Sequence, residues 1–172
     1  RFGGQYLYDP SERVSAEYAS SIVSQMGVGE FTPVDLRKVL AGKSVSGAPR
    51  ISALSESVNG SCSATDVETM LQLTHLYFTA PRKDDDLFNS FVTKQQALYR
   101  NMTSDPQFTF QDSLLKILYK NHPWAPRLPK AENFSKIDLQ RALEIYKERF
   151  GNANGFTFVL VGKLDVHTIK PL

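Results

Sequence analysis

The chain has 172 residues, 41% of them apolar, which suits one domain or most of one that buries roughly 70% of its unfolded surface. Against 18 Asp and Glu stand 20 Lys and Arg, a net charge of +2 with no basic block, which argues against nucleic acid as a partner. No apolar run approaches the ~18 residues needed to cross a bilayer, no secretory signal is visible, and the lone Cys62 cannot form an internal disulfide. The chain opens at Arg1 without a Met and closes at Pro171-Leu172 inside a predicted helix, so it reads as a single, truncated domain over 1–172.

Taken in order, residues 14–25 predict a helix with Ala16, Ala19, Ile22 and Val23 on one side, stopped by Gly27 and Gly29. Gly27-Val28-Gly29 follows a helix and lacks a third glycine, so it is no dinucleotide fingerprint. Thr32-Pro33-Val34-Asp35 is a helix start: a hydroxyl cap, proline at the first position and a carboxylate three residues after the cap. That helix ends at Gly42. Residues 43–61 alternate in character and predict two strands joined near 49–53. Thr65-Asp66-Val67-Glu68 predicts a capping box opening a helix to Phe78, which Pro81 prevents from continuing. Further helices are expected over 85–102 and 108–119, then a proline-rich loop over 121–129.

A further helix is expected over 136–150, where Leu139, Ala142, Leu143, Tyr146 and Phe150 form one apolar stripe. Gly151-Asn152-Ala153-Asn154-Gly155 breaks it. The run 156–161 is apolar on both faces and predicts a strand buried on both sides, with Phe158 a core aromatic. Strands, long helices, then a strand make an α+β domain: a mixed or antiparallel sheet covered by long helices.

Three stretches carry a family resemblance. A helix ending in Tyr146-Lys147 and Phe150, the Asn-rich turn, and a strand closing in Val161-Gly162 and Asp165 resemble the pitrilysin/insulinase-type zinc peptidases. Phe2-Gly3-Gly4 resembles the end of that family's second strand. Leu76-Tyr77-Phe78-Thr79-Ala80-Pro81-Arg82-Lys83-Asp84 resembles its helix-to-helix junction. The likeness covers nearly the whole chain and implies the processing-peptidase-like metallohydrolase fold.

The family's catalytic unit carries His-x-x-Glu-His on its first long helix: two imidazoles one turn apart hold zinc and the glutamate is the general base. By position these five residues fall on Ser21, Ile22, Val23, Ser24 and Gln25, followed by Met26, so both ligands and the base are missing. The later zinc-binding glutamate falls at Ala97 and Leu98. His75, His122 and His167 lie at no ligand spacing.

The resemblance therefore implies the non-catalytic, C-terminal unit of a zinc metallopeptidase. Such a unit forms chamber wall and substrate contacts, with zinc in the catalytic half of the same polypeptide and a peptide as substrate. The family's peptide-holding Arg and Tyr belong to a segment after Gly162, so no substrate residue is named. A purely structural subunit like the respiratory-complex core proteins, and a stand-alone peptide-binding module using a sheet edge, are the alternatives. For location, a bacterial cell envelope or periplasm is the expectation. Asp84-Asp85-Asp86 reads as a helix N-terminus suited to carboxylates, Arg37-Lys38 with Lys43 as a solvated basic face, and Trp124 as either core packing or a partner anchor.

Overall fold

A computed structural model describes every residue except Asn121, Trp124, Leu164 and Leu172; of Thr168 it describes the backbone. The Trp124 anchor therefore lies outside the described residues. Helix α1 (Arg13–Met26) and α2 (Pro33–Val39) precede a hairpin of β1 (Val45–Ile51) and β2 (Glu56–Cys62). Helices α3 (Val67–Thr79), α4 (Asp85–Met102), α5 (Pro106–Tyr119), α6 (Ala131–Phe134), α7 (Leu139–Phe150) and α8 (Val166–Ile169) follow. The architecture is α+β, as expected: an antiparallel sheet with helices packed against it.

The strands pair from Val45 with Cys62 to Ile51 with Glu56. Helix α1 lies across β1, and α7 and α4 pack on α1. The apolar stripe of α1 is wholly buried: Ala16, Ala19, Val23 and Met26 expose nothing and Ile22 only 1%. It meets the stripe of α7, where Ile145, Tyr146 and Phe150 are equally enclosed. The Tyr146 hydroxyl donates to the Tyr77 carbonyl at 2.8 Å, which gives the phenol a partner inside the core. Phe134 is held among Tyr18, Phe91 and Tyr99, with ring centroids 4.9, 6.5 and 5.2 Å away.

The helix boundaries follow their chemistry. Thr32 caps α2 by accepting from the Asp35 N–H at 3.2 Å, and Asp84 caps α4 by accepting from the Leu87 N–H at 3.0 Å. Gly27 ends α1 at φ 86°, and a Cβ there would stand 2.2 Å from the Phe31 carbonyl oxygen, so only glycine makes this close turn.

Three expectations need correction, and one element is new. Pro49 sits inside β1, and the turn falls at 52–55, where Ser52 and Ser55 bond to each other. The capping box at Thr65 does not form: the cap of α3 is Asp66, the Thr65 hydroxyl bonds the Ser63 hydroxyl at 2.8 Å, and the Asp66 carboxylate accepts from the Ser44 N–H and the Ser63 hydroxyl. Residues 131–134 form a one-turn helix, α6, inside what sequence left without structure. The run 156–161 is assigned to no strand and pairs with none among the described residues. Phe158, Val159 and Val161 there are 59, 78 and 92% exposed. A strand needs a neighbour for its backbone, whatever its composition.

One charged cluster ties the hairpin to the rest. Glu56 at the start of β2 is 1% exposed. Its carboxylate accepts from the Arg149 guanidinium of α7 and from the Gly4 N–H at 2.8 Å, and pairs with Arg1 at 3.5 Å. The backbone of Arg1 completes the join: its N–H group donates to the Glu56 carbonyl at 3.0 Å, and its carbonyl accepts from the Glu56 N–H at 2.9 Å. Phe2 bridges antiparallel to Ser55, and the Gly3 and Gln5 N–H groups donate to the Leu54 and Ser52 carbonyls, both at 2.9 Å, so the N-terminal backbone runs along the hairpin.

Removing one partner of a buried pair costs about 3–5 kcal/mol. Arg149→Ala is expected to fall near the lower end, because Arg1 remains, when urea unfolding of the two proteins is compared. Phe158→Ala is expected to cost less than about 1 kcal/mol, against about 3–5 kcal/mol for Phe134→Ala, in the same titration.

Candidate functional site

The five motif positions occupy the last turns of α1. Ile22 and Val23 point into the core, while Ser21 and Gln25 are exposed, one helical turn apart on one face. That is the placement a pair of zinc-binding imidazoles would need. The side chains present do not fit the metal: a hydroxyl and a carboxamide offer neutral oxygens, whereas zinc takes imidazole nitrogen, thiolate or carboxylate. Ser24, at the position of the general base, is half-buried and donates its hydroxyl proton to the Ser20 carbonyl at 2.9 Å. Ala97 and Leu98 are both exposed on α4, which packs on α1, and neither carries a ligand atom. No three His, Cys, Asp or Glu side chains converge among the described residues.

The other candidates have local explanations. His75 is exposed on α3, its carbonyl taken by the Thr79 hydroxyl at 2.8 Å. The His167 N–H donates to the Asp165 carboxylate at 2.9 Å, as part of the cap of α8. Asp84 accepts the Leu87 N–H and the Arg82 guanidinium, and these bonds hold its carboxyl below the usual aspartate range. Lys38 pairs with Asp35 at 3.3 Å and Lys43 donates to the Thr69 hydroxyl at 2.7 Å, both on the surface. Cys62 is half-buried as the last residue of β2.

The structure adds a cleft that sequence reasoning missed. A cavity of about 300 Å³ opens between the first half of α1, the second half of α5, the loop over 125–130 and α6. The Arg13 guanidinium closes one end by donating to the Pro123 and Ala125 carbonyls at 2.7 and 2.9 Å. Lys116 and Lys130 share Asp112, at 2.8 and 3.5 Å. Glu17 faces this cleft, and burial raises its carboxyl pKa although Arg13 pulls the other way. The loop shows no periodicity, and Glu17 meets Asp112 only through the fold, so no local pattern signals the cleft.

With this geometry in hand, known proteins can be placed beside the chain. No family model matches it. Over 174 aligned residues it is 24% identical to an Arabidopsis thaliana protein described as "Zinc protease PQQL-like", covering 99% of this chain and 15% of that protein. The periplasmic protease PqqL of Escherichia coli superposes with a TM-score of 0.67 at 19% identity, over 86% of this chain and 16% of that one. The ferredoxin protease FusC, solved with Arabidopsis ferredoxin, superposes with a TM-score of 0.66 at 15% identity, with the same coverage. The fold is that of a unit of the pitrilysin-type zinc proteases, as the sequence resemblance implied. The chain spans about one sixth of the length of the relatives it matches.

The raised pKa of Glu17 has a definite sign. The folded state holds its proton more tightly than the unfolded chain, so stability falls as pH rises from the unfolded value through the raised folded one. Glu17→Gln removes this loss. Its urea midpoint is expected to exceed that of the parent chain at pH 7 and to match it at pH 3, where the carboxyl is protonated in both states.

Proposed function

We propose that this chain is a non-catalytic unit of a longer pitrilysin-type zinc peptidase, from its C-terminal half, and that it forms wall and substrate contacts in the chamber where the peptide is cut. The observation that carries this is the pairing of the peptidase fold with a helix bearing Ser21, Ser24 and Gln25 where the ligands and base would stand. The one-sixth share of the relatives' length supports the same reading. Zinc and its chemistry then belong to a catalytic half elsewhere in the polypeptide. This unit's residues hold no metal and move no proton.

The parent's substrate is a peptide or an unfolded protein segment long enough to reach both halves. Such a wall raises the rate by positioning: it holds the extended chain so that the scissile bond meets the catalytic centre. A bacterial periplasmic setting is supported by PqqL, whereas the plant relative points to a second setting for the same architecture.

Two measurements test this reading together. In the full-length protein, alanine at Ser21, Ser24 or Gln25 is expected to leave kcat within a few-fold, while deletion of the unit abolishes cleavage of long peptides. Zinc analysis of the 172-residue chain, purified without chelator, is expected to show none bound. A loss of about a thousand-fold from any one alanine, or stoichiometric zinc in the chain, would overturn the assignment.

A further inference from the structure

The cleft beside α1 carries charge that the chain itself leaves unmatched. Helix α1 presents Val14, Glu17 and Tyr18 to it, and α5 presents Asp112, Leu115 and Lys116. Both sets are spaced i, i+3, i+4, so each is one face of its helix. The two faces share a cavity of about 300 Å³, at the small end of the range for ligand pockets.

On the α1 side a carboxylate lacks a donor. Glu17 is half-buried and makes no hydrogen bond or ion pair among the described residues. Arg13 attracts it, but that guanidinium donates to the Pro123 and Ala125 carbonyls. Burial without a donor disfavours the ionised form and costs stability. A titratable group held in a cavity at such a cost marks a place where a ligand supplies what the protein does not. On the α5 side the balance is reversed. Asp112, 16% exposed, is one carboxylate shared by two ammonium groups, Lys116 at 2.8 Å and Lys130 at 3.5 Å. One positive charge is left over there. At the rim Arg127 and Lys136 outnumber Glu132. Val14, Leu115 and Leu128 add apolar surface to the same space.

We infer that the cleft binds the free carboxyl end of a peptide whose last residue is lysine or arginine. The α-carboxylate pairs with Lys116 and Lys130, the basic head group with Glu17, and the methylenes between them lie on Val14 and Leu115. This rests on the proposed reading, in which the unit meets peptides that have just been cut and so carry new carboxyl ends. Three other ligand types fit the same walls less well. An inorganic or nucleotide phosphate would satisfy the lysines and be repelled by Glu17. A peptide's amino end would satisfy Glu17 and leave the lysine pair unmatched. An apolar side chain would bury Glu17 further without a donor. A lysine or arginine residue with its own carboxylate carries both charges on one frame, and its long stem suits an apolar wall.

The test is a chemical-shift titration of the 172-residue chain at pH 7. The ligands are N-acetyl-Ala-Arg with a free carboxyl, the same peptide as its amide, N-acetyl-Ala-norleucine with a free carboxyl, and inorganic phosphate. The first is expected to bind and to shift amides at 13–18, 112–116 and 128–133. The other three are expected to bind about ten-fold more weakly or worse, since each lacks one charge-assisted contact. Glu17→Gln is expected to abolish the preference for arginine over norleucine and to keep the preference for acid over amide. Lys130→Met, which leaves Asp112 balanced by Lys116 alone, is expected to do the reverse. Far-UV circular dichroism confirms that each variant is folded. Equal binding of acid and amide, equal binding of the arginine and norleucine peptides, or phosphate binding as tightly as the peptide overturns the proposal. So does the absence of shifts in these three segments at millimolar peptide. Neither zinc nor cleavage enters the titration, so failure here is distinct from failure of the peptidase reading.

Discussion

A carboxylate removed from water needs charge and hydrogen bonds around it, and Glu56 draws two other parts of the chain to its strand. Arg149 comes from α7, the Gly4 N–H and Arg1 from the N-terminal segment, and Glu56 itself from β2. Pairing this one group fixes the hairpin relative to α7 and fixes the N-terminal backbone along β2. The fit is close: a Cβ on Gly3 would stand 2.4 Å from the Arg149 guanidinium and 2.5 Å from the Glu56 carboxylate. Once α7 is anchored at its C-terminal end, its stripe closes over α1 and the aromatic contacts of Phe150 and Tyr146 follow.

That arrangement makes α1 a pillar of the core, whatever its outer face carries. The inward residues Ala16, Ala19, Ile22, Val23 and Met26 are set by packing against β1 and α7. Ser21 and Gln25 lie on the solvent side and touch none of that packing. A helix of this kind retains its place when its exposed face exchanges one set of polar side chains for another. A peptidase fold can therefore persist around a motif with no metal-binding atoms.

The legibility of the sequence tracks how local each determinant is. The stripes of α1 and α7 and the caps at Thr32 and Asp84 depend on residues within four positions, and they were readable. The capping box at Thr65 was misread because α3 starts one residue later, at a cap Asp66 whose carboxylate is taken by Ser44, 22 residues away. One-turn α6 is too short to show a period. The motif positions at Ser21, Ser24 and Gln25 came from the resemblance alone, and the structure places them on the expected helix. The Glu17 cleft was invisible because it joins α1 to α5 and to the loop that follows it. The run 156–161 was read as a buried strand from composition. Composition states which environment a segment suits, and a neighbouring strand decides whether it has it.

The bare run 156–161 also bears on how the chain behaves in concentrated solution. Six consecutive residues of high β-propensity, with no charge and no proline, form a template for other chains. Two copies meeting at these segments would pair edge to edge and satisfy the same backbone groups. The lifetime of the exposed form then falls with its concentration.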